Sequence, residues 1–250
     1  MALVDQRTNR RTSLLAGAAL ALVAIVGLAV VILGGGDKSN SRSPSGSSKG
    51  RPEQGASDRS VATLTAENAK FQEFFGVQLP TTSAGPRQTE GNRAIGFEHS
   101  PDGAVLAAIH ILYRASASPG PAVFEPTIRE QMVGSDRNAF LAKIQRDYGT
   151  AATAGTAPGG ELAGAADQAK AIQSSVWAYR LDLYDPAGVS VQVLLRSVPS
   201  GSGPLFVNMG LSVKWVGGDW RLVAPLNGEF ASVARQVPEV PAGYVVIGRV

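Results

Sequence analysis

Two histidines, His99 and His110, are the only imidazoles in the chain, and Glu98 and Asp102 flank the first of them. Imidazole and carboxylate groups at short range could bind a metal or exchange protons. Spacing argues against such a cluster. If residues 101–115 are helical, His110 follows Asp102 by eight residues, which leaves the two on one face but about 12 Å apart along the axis. His99 precedes the helix start and is expected to bond a loop or stay exposed.

Trp177, Trp215 and Trp220 could stack on a ligand, yet each alternates with aliphatic residues in its segment, so core packing is the expectation for all three. Tyr113, Tyr148, Tyr179, Tyr184, Asp147 and Asp182 are raw material for a buried carboxylate and tyrosine pair. No spacing singles out two of them. Phosphate-binding glycine loops, nucleophile elbows and metal-helix motifs are absent from the sequence. The expectation is therefore no catalytic, cofactor-binding or metal residue, and no cofactor.

The elements that would hold these residues begin with a membrane anchor. Residues 14–33 carry no charge and are rich in Ala, Leu, Val and Ile, and about 20 helical residues cross a hydrocarbon core of roughly 30 Å. A cleaved signal peptide is the rival reading, but the apolar run exceeds the usual length and Gly34, Gly35 and Gly36 follow without a small-x-small cleavage site. Arg7, Arg10 and Arg11 precede the span, so residues 1–13 are expected in the cytoplasm and the C-terminal domain outside the membrane. Lys38, Arg42, Lys49 and Arg51 on the other flank are more dispersed.

Residues 34–60 are dominated by Ser, Gly, Arg, Lys and Pro and cannot bury enough apolar surface to order themselves, so a tether is expected. Residues 61–250 form the extracytoplasmic domain. The first 60 residues hold eight Lys/Arg and four Asp/Glu, whereas the remaining 190 hold 15 and 16. A domain with balanced charge lacks the footprint of a nucleic-acid binder. There is no cysteine, which excludes disulfides, thiolate metal sites, a cysteine nucleophile and a lipidated cysteine.

Within the domain, Ser100 and Pro101 form a helix start, and Val105, Leu106, Ile109, Leu112 and Tyr113 repeat at helical spacing over residues 101–115. Phe124, Ile128 and Met132 predict a second helix, and residues 138–148 a third, ending at Gly149. Residues 66–75 read as a further helix, and residues 151–164 as a loop. Period-two patterns then predict four antiparallel strands. The first carries Trp177, Tyr179, Leu181 and Leu183 on one face. Val189 to Leu195 follow, then Val207 to Trp215, then Trp220 to Ala224, with turns at Asp185-Pro186-Ala187-Gly188 and Gly217-Gly218. Helices followed by a meander describe an α+β domain.

The order of tail, span, tether and helices-then-sheet domain resembles the bitopic scaffold subunits of type IV secretion and conjugation machines, whose outer domain is cone-shaped and nuclear-transport-factor-2-like. Two stretches are more specific: Gly96-Phe97-Glu98-His99-Ser100-Pro101-Asp102-Gly103-Ala104 with Ala107 and Ala108, and Trp215-Val216-Gly217-Gly218-Asp219-Trp220-Arg221-Leu222-Val223-Ala224-Pro225. They resemble a family of membrane proteins that accompany conjugative and integrative elements in high-GC Gram-positive bacteria. The resemblance implies a scaffold or assembly role, with other machine subunits or a second copy as partners and the bilayer contacted through residues 14–33. An accessory role in envelope lipid or small-molecule transport is the alternative, and it expects a deep apolar pocket between helices and sheet. An envelope enzyme is a third reading, which requires convergent ionisable groups.

Overall fold

The computed structural model describes residues 62–90, 92–153, 174–198 and 203–248. The expected membrane span, residues 14–33, and the tether lie outside the described residues, and no helix among the latter is long and apolar enough to cross a membrane.

Two small hairpins come first: β1 (Lys70–Phe74) with β2 (Val77–Thr81), and β3 (Gln88–Glu90) with β4 (Arg93–Ile95). Residues 66–75, expected to be helical, are instead a turn and a strand. Phe71 and Phe74 sit at helical spacing, but Phe75 and Gly76 both take positive φ, 48° and 82°. That pair of left-handed residues is the two-residue turn matched to strand twist, and it joins Phe74 to its partner Val77.

Three helices follow: α1 (Pro101–Arg114), α2 (Pro121–Gln131) and α3 (Arg137–Thr153). The Ser100 side chain accepts from the Gly103 amide and Pro101 occupies the first turn of α1, as its sequence predicts. Met132, assigned above to the second helix, lies in β5 (Met132–Val133) and pairs in parallel with Leu222. Gly149 does not end α3, which continues to Thr153. A single helical glycine costs about 1 kcal/mol, too little to stop a helix whose Phe140, Leu141 and Ile144 are anchored in the core. Of the expected loop 151–164, the first three residues belong to α3 and the rest lie outside the described residues.

The main sheet is built from β6 (Ser174–Asp185), β7 (Gly188–Ser197), β8 (Leu205–Val216) and β9 (Asp219–Val223), each antiparallel to the next. Short strands extend it: β5 beyond β9, β11 (Val245–Val246) beyond β6, and β10 (Ala234–Val237) against the first half of β8. The second half of β8 pairs with β9, so one long strand serves two neighbours along one edge.

Bulges between Val176 and Ala178 and between Leu181 and Leu183 break the expected alternation of β6. Each shifts the following side chains across the sheet. Trp177 therefore packs on the outer face with Ala178, Leu194 and Phe206, beneath Val237, Val240 and Tyr244 of the C-terminal segment, and not in the main core. Leu183 is 65 % exposed. In β7 the alternation holds on the inner face, where Val189, Val191, Val193 and Leu195 are all buried.

The helix α1 is buried on every side, from Gly103 to Arg114, where its sequence predicts a single apolar face. The large sheet covers one side, and β2, β4 and α2 cover the other. Its small residues Ala104, Ala107 and Ala108 are all fully buried.

Candidate functional site

The two motif stretches that are more than a hundred residues apart in sequence meet at the N-terminal end of α1. Asp219, at the start of β9, accepts hydrogen bonds from the amides of Gly96 at 2.9 Å and Phe97 at 3.2 Å, and from its own neighbour Trp220 at 2.9 Å. Trp220 is fully buried and donates its indole N–H to the carbonyl of Glu98 at 2.9 Å. The loop before α1 is thereby pinned to the β8–β9 turn from both sides.

His99 completes this junction. Its ring stacks on Trp215 at 4.0 Å and 10°, meets Trp220 edge-on at 5.5 Å, and places Nε2 2.6 Å from the carbonyl oxygen of Pro186. A carbonyl accepts only, so Nε2 carries the proton and donates. Asp102, in the first turn of α1, faces elsewhere: it accepts from the Thr63 amide and hydroxyl at 2.7 and 2.5 Å and from the Leu64 amide at 2.9 Å. Its position at the helix N-terminus also favours a negative charge. The Leu64 carbonyl accepts from the Tyr179 hydroxyl at 2.8 Å, and burial, with the nearby Asp102 charge, raises the Tyr179 phenol further above its ordinary range. Asp102 and Tyr179 together tie the first described residues to α1 and the sheet.

The second histidine sits elsewhere. His110 is fully buried in α1, with Nε2 donating to the Pro80 carbonyl at 2.8 Å and Nδ1 accepting from Arg114 Nη1 at 2.9 Å. Phe97 lies beside its ring at 5.9 Å. Burial first, and the Arg114 cation second, lower its pKa to about 3. This ring stays neutral in the native state, whereas in the unfolded chain it titrates near 6.5. As pH falls from 6.5 toward 3, the unfolded state takes up a proton that the native state refuses, so stability is lost across that window and retained above it. The loss reaches on the order of 3–5 kcal/mol. Chemical denaturation from about pH 7 to about pH 4 should show wild-type stability falling by up to about 1.4 kcal/mol per pH unit more steeply than His110→Asn. Parallel slopes would contradict the assignment.

The remaining candidates are dispersed. Asp182 accepts from Arg180 and Gln192 on the outer face of the sheet, in a chain of bonds that continues through Asn208 to the Tyr244 hydroxyl. The bond from Arg180 is the main cause of a lowered Asp182 pKa. This chain fastens the C-terminal segment over the sheet, a role that only tertiary pairing reveals. Asp147 pairs with Lys143 one helical turn away, and Tyr148 packs on Phe124. No group of three or more His, Cys, Asp or Glu side chains that could hold a metal occurs among the described residues.

These contacts define an α+β domain whose most distinctive residues hold its own elements together. Residues 35–246 match the family described as a domain of unknown function, DUF8175, and the chain belongs to that family. No curated protein and no solved structure matches it.

Proposed function

We propose that this chain is a non-catalytic, single-pass membrane protein whose tethered domain is a scaffold or assembly component of a conjugation or type IV secretion-like machine. In this reading residues 14–33 span the membrane, residues 34–60 form the tether and the domain lies on the extracytoplasmic side. The domain is of the nuclear-transport-factor-2-like class, a reading supported by its three helices preceding a long bulged sheet that packs on them.

One observation carries the assembly reading over the transport reading. The volume between α1 and the sheet is occupied by side chains: Leu106, Ile109 and Ile111 from the helix and Val191, Val193, Met209 and Val213 from the sheet are all at 0 % exposure. An interior packed this way leaves the surface as the working part of the domain. Leu183 and Val216, 65 % and 45 % exposed at the turn end of the sheet, offer apolar contact there.

Affinity purification of the detergent-solubilised full-length protein, compared with a chain lacking residues 61–250, tests the proposal. Enrichment of secretion or conjugation subunits, or of a second copy, only with the full-length chain is the expected result. Recovery of bound lipid or a small molecule with no protein partner overturns it in favour of the transport reading.

A further inference from the structure

Residues 62–81 form an arm that side chains of the body hold in place. The ladder of β1 and β2 is a sheet of its own, separate from the main one. The Ala69 amide likewise bonds back within the arm, to the Thr65 carbonyl. Across to the arm, Asp102 accepts from Thr63 and Leu64, and the Tyr179 hydroxyl donates to the Leu64 carbonyl. His110 donates to the Pro80 carbonyl, and the Arg114 guanidinium lies over the Phe74 ring, 4.1 Å from the centroid. Three of these four residues belong to α1, and they are the only Asp, Glu, His, Lys or Arg residues in it. Every such group of the helix thus engages the arm.

Such residues suit a helix face that meets water and oppose a permanent cover. With the arm docked, the Arg114 guanidinium is buried and its Nε has no hydrogen-bond partner, while the His110 ring is held neutral. Burial lowers the Arg114 pKa to about 10, so the buried group is charged at neutral pH. Water satisfies both side chains once the cover is off, so both favour lifting. Leu64, Ala69 and Leu79, all buried, favour docking. Thr82 and the exposed Ser83, in the turn that the Thr82 and Gly85 backbones close, join the arm to the rest of the domain and supply a hinge.

We propose that residues 62–81 are a hinged arm that docks reversibly on α1 and lifts in acid, uncovering Asp102, His110 and Arg114 while the helices and main sheet stay folded. Lifting exchanges the Pro80 carbonyl for water at His110, whose ring then takes up a proton that the docked state refuses. A ring that titrates near 6.5 when free and about 3 when covered favours the lifted state about 25-fold more at pH 5 than at pH 7. On α1 the neighbours of this ring are Arg114 and Tyr113, with Asp102 two turns back. The arm brings no ionisable side chain on β2, and on β1 the exposed Lys70 and Glu73. Arg93 on β4 and Glu125, Arg129 and Glu130 on α2 pair with one another. The sheet contributes the Tyr179 and Tyr184 phenols, both raised by burial and so neutral throughout this range. The arm goes beyond the assembly reading and needs neither the span nor a partner.

The chain has no cysteine, so single thiols test the arm in full-length protein in lipid nanodiscs. Ala69→Cys places one at a buried position of the arm, with Leu79→Cys as a second such position, and Val193→Cys places one inside the sheet. Their rates of modification by dithiodipyridine are each divided by the rate of the exposed Ser212→Cys at the same pH, which removes the pH dependence of the thiol itself. At pH 7 the arm thiols should react at least about tenfold faster than the sheet thiol, because local opening costs less than global unfolding. Their normalised rates should rise about 25-fold on going to pH 5, and His110→Asn should flatten that rise. Asp102→Ala, which removes three of the bonds to the arm, should raise the rates at pH 7 at least about tenfold. Equal rates for arm and sheet thiols, no rise in acid, the same rise in His110→Asn, or an unaltered rate in Asp102→Ala overturns the proposal.

Discussion

Gly103→Ala should be among the most damaging single-methyl additions in this domain. A Cβ at residue 103 would stand 2.0 Å from the Glu98 carbonyl oxygen and 2.9 Å from both the carbonyl carbon and the amide nitrogen of that residue. All of these are backbone atoms, so no rotamer change relieves the clash. The same carbonyl receives the Trp220 indole N–H, and the Gly103 amide itself caps α1 through Ser100. Displacing the loop therefore strains a helix cap, a buried hydrogen bond and the Asp219 contacts together. A loss on the order of 3 kcal/mol is expected. For a domain of this size that corresponds to a fall in thermal midpoint of roughly 6–12 °C. Thermal unfolding of the detergent-solubilised protein, followed by near-ultraviolet circular dichroism, reads the change. A shift below about 2 °C would show that the loop before α1 relaxes freely.

Trp220→Ala should cost about as much by the opposite route. The side chain is fully buried, touches His99 and Trp215 edge-on, and provides the one side-chain donor to the Glu98 carbonyl among the described residues. Truncation opens a cavity at the centre of the junction and removes one of the two donors to that carbonyl, leaving the Ser100 amide at 2.8 Å, for about 3–5 kcal/mol. Trp220→Phe keeps most of the volume and loses the N–H, so about 1–3 kcal/mol is expected. The same unfolding experiment separates the two. Equal losses from the two variants would mean that the hydrogen bond, not packing, dominates this position.

The helices of the domain were legible because their signals are local. Ser100 and Pro101 cap a helix by chemistry confined to one turn, and the aliphatic spacing of residues 105–113 needs no partner to be read. The strands β7, β8 and β9 were legible for the same reason, since alternation and the Gly217-Gly218 turn are written within each hairpin. The β1–β2 hairpin was not. Phe71 and Phe74 repeat at a helical interval, and only the left-handed pair Phe75 and Gly76 turns the chain back, at a bulky residue that sequence patterns do not place there. Bulges in β6 hid the face of Trp177 in the same way, because one extra residue inverts the alternation that a pattern assumes.

For the candidate site, residue types alone excluded thiol chemistry and known nucleotide and metal motifs, and spacing alone separated His110 from Asp102. That Asp219 and Trp220 close on Gly96, Phe97 and Glu98 lay beyond any local signal, since these contacts span about 122 residues of chain. The sequence by itself determined the charge balance of the domain, its lack of cysteine, the capped helix α1 and the meander that faces it, because each depends on neighbours within a few residues. Only the tertiary structure decided that α1 is buried on all sides, that His110 stays neutral beneath Pro80, and that Arg114 is buried with no ion pair among the described residues. Burial and unmet hydrogen bonds are properties of what surrounds a side chain, and here the surroundings are assembled from distant parts of the chain: the N-terminal hairpins, the helices and the sheet.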